Sequence, residues 1–147
     1  MKLNMTLRKA ELEDKKDILD VANLLYLDIP DFVWNKDNFV ESQIKRGEYF
    51  LIENEEKIIG IIGLRQRGNK MHVETIAVRN GSQLEGVGTK LIEFAREFTK
   101  KKGLNILRAY SFYEYKSVDF YLNRGFHLLN KPGIYNGHKY YRFEMKI

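Results

Sequence analysis

Glu74-Thr75-Ile76-Ala77-Val78, followed after Arg79-Asn80-Gly81-Ser82 by Gln83-Leu84-Glu85-Gly86-Val87-Gly88-Thr89, is the stretch on which the reading of this chain turns. Its first part is rich in β-branched residues and reads as a strand. Its second part is a glycine loop that opens an amphipathic helix running to about residue 102. Val87, Leu91, Phe94, Ala95 and Phe98 form the apolar stripe of that helix, Lys100 to Lys102 suit the negative end of its dipole, and Gly103 is its cap. A helix start leaves amides unpaired and carries partial positive charge, and glycines let a phosphate approach the backbone, so the loop reads as a diphosphate cradle. It is not a Walker loop, because Val87 and Gly88 stand where lysine and serine or threonine follow the second glycine. It is not a dinucleotide fingerprint either, because Leu91 stands at the third glycine.

Upstream, residues 49–53, 57–67 and 71–78 read as three consecutive strands joined by Asn54-Glu55-Glu56 and by a turn at Gly68-Asn69. The middle one, Ile58-Ile59-Gly60-Ile61-Ile62-Gly63-Leu64, is apolar on both faces, as suits a covered central strand. Residues 6–10 form a short opening strand. Helical periodicity predicts helices over about residues 14–27, with Ile18, Val21, Ala22 and Leu25 inward, and about residues 36–45, stopping at Gly47. Asp28-Ile29-Pro30-Asp31 ends the first helix. Downstream come a strand over 104–111, a helix over about 114–124 capped by Gly125, and a closing hairpin of 126–129 and 140–145 around a long loop over 130–139. The order is α+β, and residues 1–147 read as a single domain.

Composition agrees with a globular chain: of 147 residues, 44% are apolar, 31% charged and 13% aromatic. There is no cysteine, which removes disulfides, thiolate metal sites and a cysteine nucleophile and suits a reducing cytosol. Residues 1–10 lack the apolar segment of a signal peptide, and no apolar run approaches the ~20 residues that span a bilayer. A cytoplasmic protein without membrane attachment is expected. The net charge of +5 favours anionic partners, but no nucleic-acid motif accompanies it.

Gln83-x-x-Gly86-x-Gly88 and, farther on, Phe120-Tyr121-Leu122-Asn123-Arg124-Gly125-Phe126 resemble two signatures of the GCN5-related N-acetyltransferase (GNAT) family, in a matching order of strands and helices. The resemblance implies a mixed, mostly antiparallel central sheet of six to seven strands flanked by about four helices. It implies acetyl-CoA as cosubstrate and transfer of an acetyl group to a primary amine, on a small molecule or a peptide, by direct attack. The strand backbone at Ile76, Ala77 and Val78 would pair with the pantetheine arm. The loop amides from Gln83 and Leu84 through Gly86, Val87, Gly88 and Thr89 would hold the pyrophosphate, and a gap would open beside the strand over 104–111. Glu85 stands where the family often has a basic residue, and Glu114 where many members have asparagine. Those departures motivate the competing reading of a non-catalytic acyl-CoA-binding or sensing module.

Glu74 shares a strand face with His72, Ile76 and Val78. It reads either as part of the solvated face of an edge-like strand or as the general base that takes the amine proton, the role the resemblance implies. Tyr121 has a packing explanation for its ring: with Gly125 at C′, Phe126 would lie on the residue at C3. Its hydroxyl is left for the general acid toward the CoA thiolate, again as the resemblance implies. His72 reads as structural, and His127 and His138 have no metal-ligand spacing with it, so no metal is expected. Asp28, Asp31, Phe32 and Trp34, with Tyr135, His138, Tyr140 and Tyr141, fall where the family builds its acceptor walls. Acidic and aromatic groups together suit a cationic amine, and the same aromatics serve equally as core or as the contact of a homodimer.

Overall fold

A computed structural model of the chain describes residues 5–79 and 86–147. Gln83 and Leu84, expected in the cofactor loop, lie outside the described residues, as does Glu85. The strand order is β1-β2-β3-β4-β5-β8-β6, with β7 paired to β8. Here β1 is Met5–Lys9, β2 Tyr49–Asn54, β3 Lys57–Arg67, β4 Lys70–Val78, β5 Ile106–Phe112, β6 His127–Leu128, β7 Gly133–Tyr135 and β8 His138–Lys146. The α-helices are α1 Lys15–Ala22, α2 Asp37–Lys45, α3 Val87–Lys101 and α4 Val118–Leu122. The residues group into two compact units, one of 5–64 with 75–79 and 86–91, the other of 65–74 with 92–147.

In the first unit β1 and β3 flank β2 antiparallel, with Leu7 opposite Ile52 and Leu51 opposite Ile61. Glu55 and Glu56 make the β2–β3 turn, both in the left-handed region at φ 53° and 68°. Every residue from Ile58 to Leu64 is buried, as expected of a strand covered on both faces. Ile18, Val21 and Ala22 of α1 and Val40 and Ile44 of α2 pack with Leu51, Ile58 and Ile61. Such burial of whole aliphatic side chains contributes roughly 1.5–3 kcal/mol each. The first helix is shorter than its periodicity predicts. Asp14 is held ahead of it, accepting from the Glu11 amide at 2.8 Å and from both terminal nitrogens of Arg8 at 2.8 Å. At the other end a 3-10 turn, Asn23–Leu25, replaces the last α-turn before the extended approach to Pro30.

In the second unit β4 and β5 run parallel over three pairs, Met71 with Leu107, His72 with Arg108 and Val73 with Ala109. β5 and β8 pair antiparallel from Ile106 opposite Lys146 to Phe112 opposite Tyr140. This register sets two faces. Leu107, Ala109, Phe143 and Met145 form a buried one, and His72, Arg108, Tyr110, Arg142 and Glu144 stand on the other.

Two expectations need correction. Among the described residues the sheet has eight strands rather than six to seven, because the stretch over 130–139 is a hairpin and not a loop. Asn136 and Gly137, at φ 47° and 86°, form its tight turn, an Asn-Gly signal the reading passed over. The helix expected over 114–124 is mostly absent. Lys116 sits in the left-handed region at φ 51° and separates a 3-10 turn, Tyr113–Tyr115, from α4. The Ser117 hydroxyl, at the start of α4, meets that of Ser111 on β5. Among the described residues no helix is long and apolar enough to cross a membrane.

Candidate active site

The cofactor residues expected on β4 and α3 fall in the first unit. Ala77 is buried and Ile76 and Val78 are half-buried at the end of β4. That end is fastened by Arg79, which sequence reasoning missed: its amide donates to the Ile59 carbonyl at 2.8 Å and its Nε to the Ile58 carbonyl at 2.6 Å. Gly86 stands at φ 76°, and among the described residues no atom lies within 4 Å of where a Cβ would be, so that side of it is open. The Lys90 amide makes a helical bond to the Gly86 carbonyl at 3.1 Å. The Val87 and Gly88 amides precede it, at the end of the helix where the dipole is positive. No acidic side chain stands in the first turn of α3. These residues fit an anionic diphosphate. Gly60 on β3 sets the height of the helix start, for a Cβ there would meet Val87 Cγ1 at 2.7 Å and Leu91 Cδ1 at 3.3 Å.

Glu74 and Tyr121 fall in the second unit. β4 lies between β3 and β5, so the edge-strand reading of Glu74 is corrected. Its side chain is only 15% exposed and is ion-paired with Arg67 from the preceding strand. On the same face, His72 Nδ1 lies 2.6 Å from the Tyr110 hydroxyl. The two rings stack with centroids 5.5 Å apart and planes 10° from parallel. Burial, with Arg67 next, pushes His72 down to about 4, so the ring is neutral at physiological pH. Arg108 donates through Nε to Glu144 at 2.9 Å and lies as a positive charge beside Tyr110.

Tyr121 is 3% exposed and stacks on Phe143 at 4.6 Å. The end of α4 is the predicted Schellman cap. The Phe126 amide donates to the Tyr121 carbonyl at 3.2 Å and the Gly125 amide to the Leu122 carbonyl at 3.3 Å, with Gly125 at φ 96°. The Phe126 ring meets that of Tyr121 edge-on at 5.4 Å. Burial pushes the Tyr121 phenol up, which keeps it protonated. Phe143 pairs with Ala109, so Tyr121 packs on the sheet face opposite Glu74, His72 and Tyr110. The structure thus gives the two expected catalytic residues separate surroundings. The recorded β4–β5 ladder ends at Val73 and Ala109, one residue before Glu74 and Tyr110.

The expected acceptor aromatics largely fill one another's space. Phe32 packs edge-on to Tyr26 at 5.6 Å and to Trp34 at 5.1 Å. Tyr140 lies edge-on to Tyr110 at 5.7 Å, and Tyr141 stacks on Tyr113 at 4.1 Å. His138 pairs with Glu114 at 3.0 Å. Tyr135 meets Phe112 edge-on at 6.1 Å.

No curated protein matches the chain. Among solved structures it is similar to the PaiA N-acetyltransferase of Thermoplasma acidophilum in complex with coenzyme A, at TM-score 0.83 and 20% identity, covering 99% of this chain and 100% of that one. It is also similar to a GNAT-family acetyltransferase of Staphylococcus aureus Mu50, at TM-score 0.80 and 17% identity over 97% and 98% of the two chains. The ribosomal-protein-S18-alanine N-acetyltransferase of Escherichia coli matches at TM-score 0.75 and 17% identity over 97% and 94%. At these identities the likeness speaks to the fold. The model of the acetyltransferase (GNAT) domain matches residues 32–147, most of the sequence and both of the motifs read from it. With that match, the strand that ends at Val78 and the helix that starts at Val87 take their place in a known plan: this chain belongs to the GNAT family of acetyltransferases.

Proposed function

We propose that this protein transfers an acetyl group from acetyl-CoA to a primary amine by direct attack, with Glu74 as general base and Tyr121 as general acid, the whole chain acting as one acetyltransferase domain. Acetyl-CoA supplies the activated acetyl thioester. The backbone of Ile76, Ala77 and Val78 and the amides at Gly86, Val87, Gly88 and Thr89 would hold it, extended by Gln83 and Leu84.

The observation that carries the reading is the placing of Glu74: a largely buried carboxylate on a central strand, where the ladder to β5 has just ended. Carboxylates are depleted from such positions unless they are paired or used. Glu74 accepts the proton that the attacking amine must lose. Tyr121, kept as a phenol by burial, donates its proton to the sulfur that leaves. The absence of cysteine suits a reducing cytoplasm, where we place the reaction.

The test is a screen of acetyl-CoA consumption over aminoglycosides, polyamines, amino acids and peptides, run beside thermal stabilisation by CoA. Stabilisation together with turnover of one amine class supports the proposal. Stabilisation without turnover on any amine replaces it with a binding or sensing module, and failure of both removes the cradle as well.

A further inference from the structure

We propose that His72 is a hydrogen-bond donor to the acceptor, fixed in its Nε2–H tautomer by Tyr110, and that it selects amines carrying an oxygen acceptor such as a carbonyl close to the nitrogen. The inference rests on the acetyltransferase reading and names a determinant of its substrate class.

The direction of the hydrogen bonds carries the argument. Among the described residues the Tyr110 hydroxyl has one hydrogen-bond partner, His72 Nδ1, and Arg108, which donates to Glu144, lies as a positive charge beside the two rings. With no other acceptor for it among the described residues, the Tyr110 O–H goes to the His72 Nδ1 at 2.6 Å, since the reverse bond would leave that O–H unused beside a buried ring. A neutral imidazole has one donor and one acceptor nitrogen, so an accepting Nδ1 leaves the proton on Nε2. The stacking of the two rings holds the imidazole plane, and with it the aim of that N–H. Tyr110 is therefore a positioning residue that acts through His72.

Strand alternation puts His72 on the same face as Glu74, two residues on. A nitrogen already protonated cannot take the amine proton, so the pair divides the work. Glu74 meets the amine, and His72 offers a donor beside it. The field at the ring agrees: Arg67, Arg108 and Lys70 all act on His72 as positive charges, against Glu74 alone as a negative one. Such a field favours the negative end of a carbonyl dipole or a carboxylate over a second ammonium.

The first experiment is ¹⁵N NMR of the histidine rings in the wild-type protein and in Tyr110→Phe. The expected result is a neutral Nε2–H ring for His72 in the wild type and loss of that single tautomer in Tyr110→Phe, which keeps the ring stack. An Nδ1–H ring in the wild type would overturn the proposal without reference to any activity. The second is the ratio of kcat/KM for glycinamide to that for ethylamine, in the wild type and in two variants. His72→Phe, which keeps an aromatic ring and removes the donor, is expected to lower the ratio by about 3- to 10-fold, the value of one hydrogen bond, and His72→Gln to restore part of it. An unchanged ratio in His72→Phe overturns the acceptor role. A wild-type protein that acetylates neither these probes nor any other amine removes the acetyltransferase reading itself, and the acceptor role of His72 falls with it.

Discussion

Arg67, near the end of β3, forms an ion pair with Glu74 on β4, on the side of the hairpin that also carries His72. The guanidinium is 56% exposed and the carboxylate 15%, so the acid is held from its more open side. Glu74 is raised to a fixed position by this contact rather than left to sample rotamers, as a base that must meet an amine requires. Glu74→Gln keeps an oxygen for Arg67 and removes the base. Turnover at neutral pH is expected to fall by about 10²- to 10⁴-fold, the usual worth of a positioned base, with CoA affinity unchanged. Wild-type turnover by the variant would take Glu74 out of the reaction.

Tyr121→Phe isolates a hydroxyl in the same way. The ring contacts to Phe143 and Phe126 and the two cap hydrogen bonds belong to the ring and backbone, so all of them survive the change. Thermal stability should therefore stay within about 1 kcal/mol of wild type. A fall in kcat of about 10- to 10⁴-fold with the KM for acetyl-CoA held would assign the acid role. A variant that is both stable and fully active would leave the tyrosine with packing alone.

What could be read in the sequence was local in its cause. The apolar run from Ile58 to Leu64 marked a strand covered on both faces, and the tyrosine, glycine and phenylalanine at 121, 125 and 126 marked a cap, because each pattern acts within a few residues. The setting of the candidate site was not local. His72 and Tyr110 are 38 residues apart and meet only because β5 lies parallel beside β4, a pairing that no periodicity announces. Arg67 was likewise invisible as a partner until the folded chain showed its side chain paired with Glu74. The β7 hairpin was missed for a different reason: its strand has only three residues, too few for alternation to show.

Gly60 gives a prediction on the cradle itself. A methyl group there would collide with Val87, whose branched side chain has little freedom in a helix, and would press on Leu91. The first turn of α3 must then lift from β3. Gly60→Ala should cost about 1–3 kcal/mol of stability, as overpacking does, seen as a lowered Tm. CoA binding should weaken with it, because the amides at Val87 and Gly88 move too. The double variant with Val87→Ala, which removes the colliding methyl groups, should recover both. Loss of stability with CoA affinity intact would show that the helix start does not hold the diphosphate.

His72 makes the fold sensitive to mild acid. Its ordinary value is 6.5, and burial in the folded chain lowers it to about 4, so between those limits the unfolded chain binds a proton that the native chain refuses. Stability is therefore complete above pH 6.5 and falls as the pH drops toward 4, where the native ring at last protonates. At about 1.4 kcal/mol for each pH unit of that window, reduced near its lower end as the native ring begins to protonate, the loss is about 3 kcal/mol at pH 4. Protonation also ends the acceptor role of Nδ1, so the Tyr110 O–H loses its acceptor over the same range. Urea denaturation at pH 7.5 and pH 4.5, in the wild type and in His72→Gln, measures the effect. The glutamine variant lacks the titrating group, and its stability should fall less across the interval by most of that amount. Parallel pH profiles for the two proteins would mean that the native ring takes up its proton over the same range as the unfolded chain, against its burial.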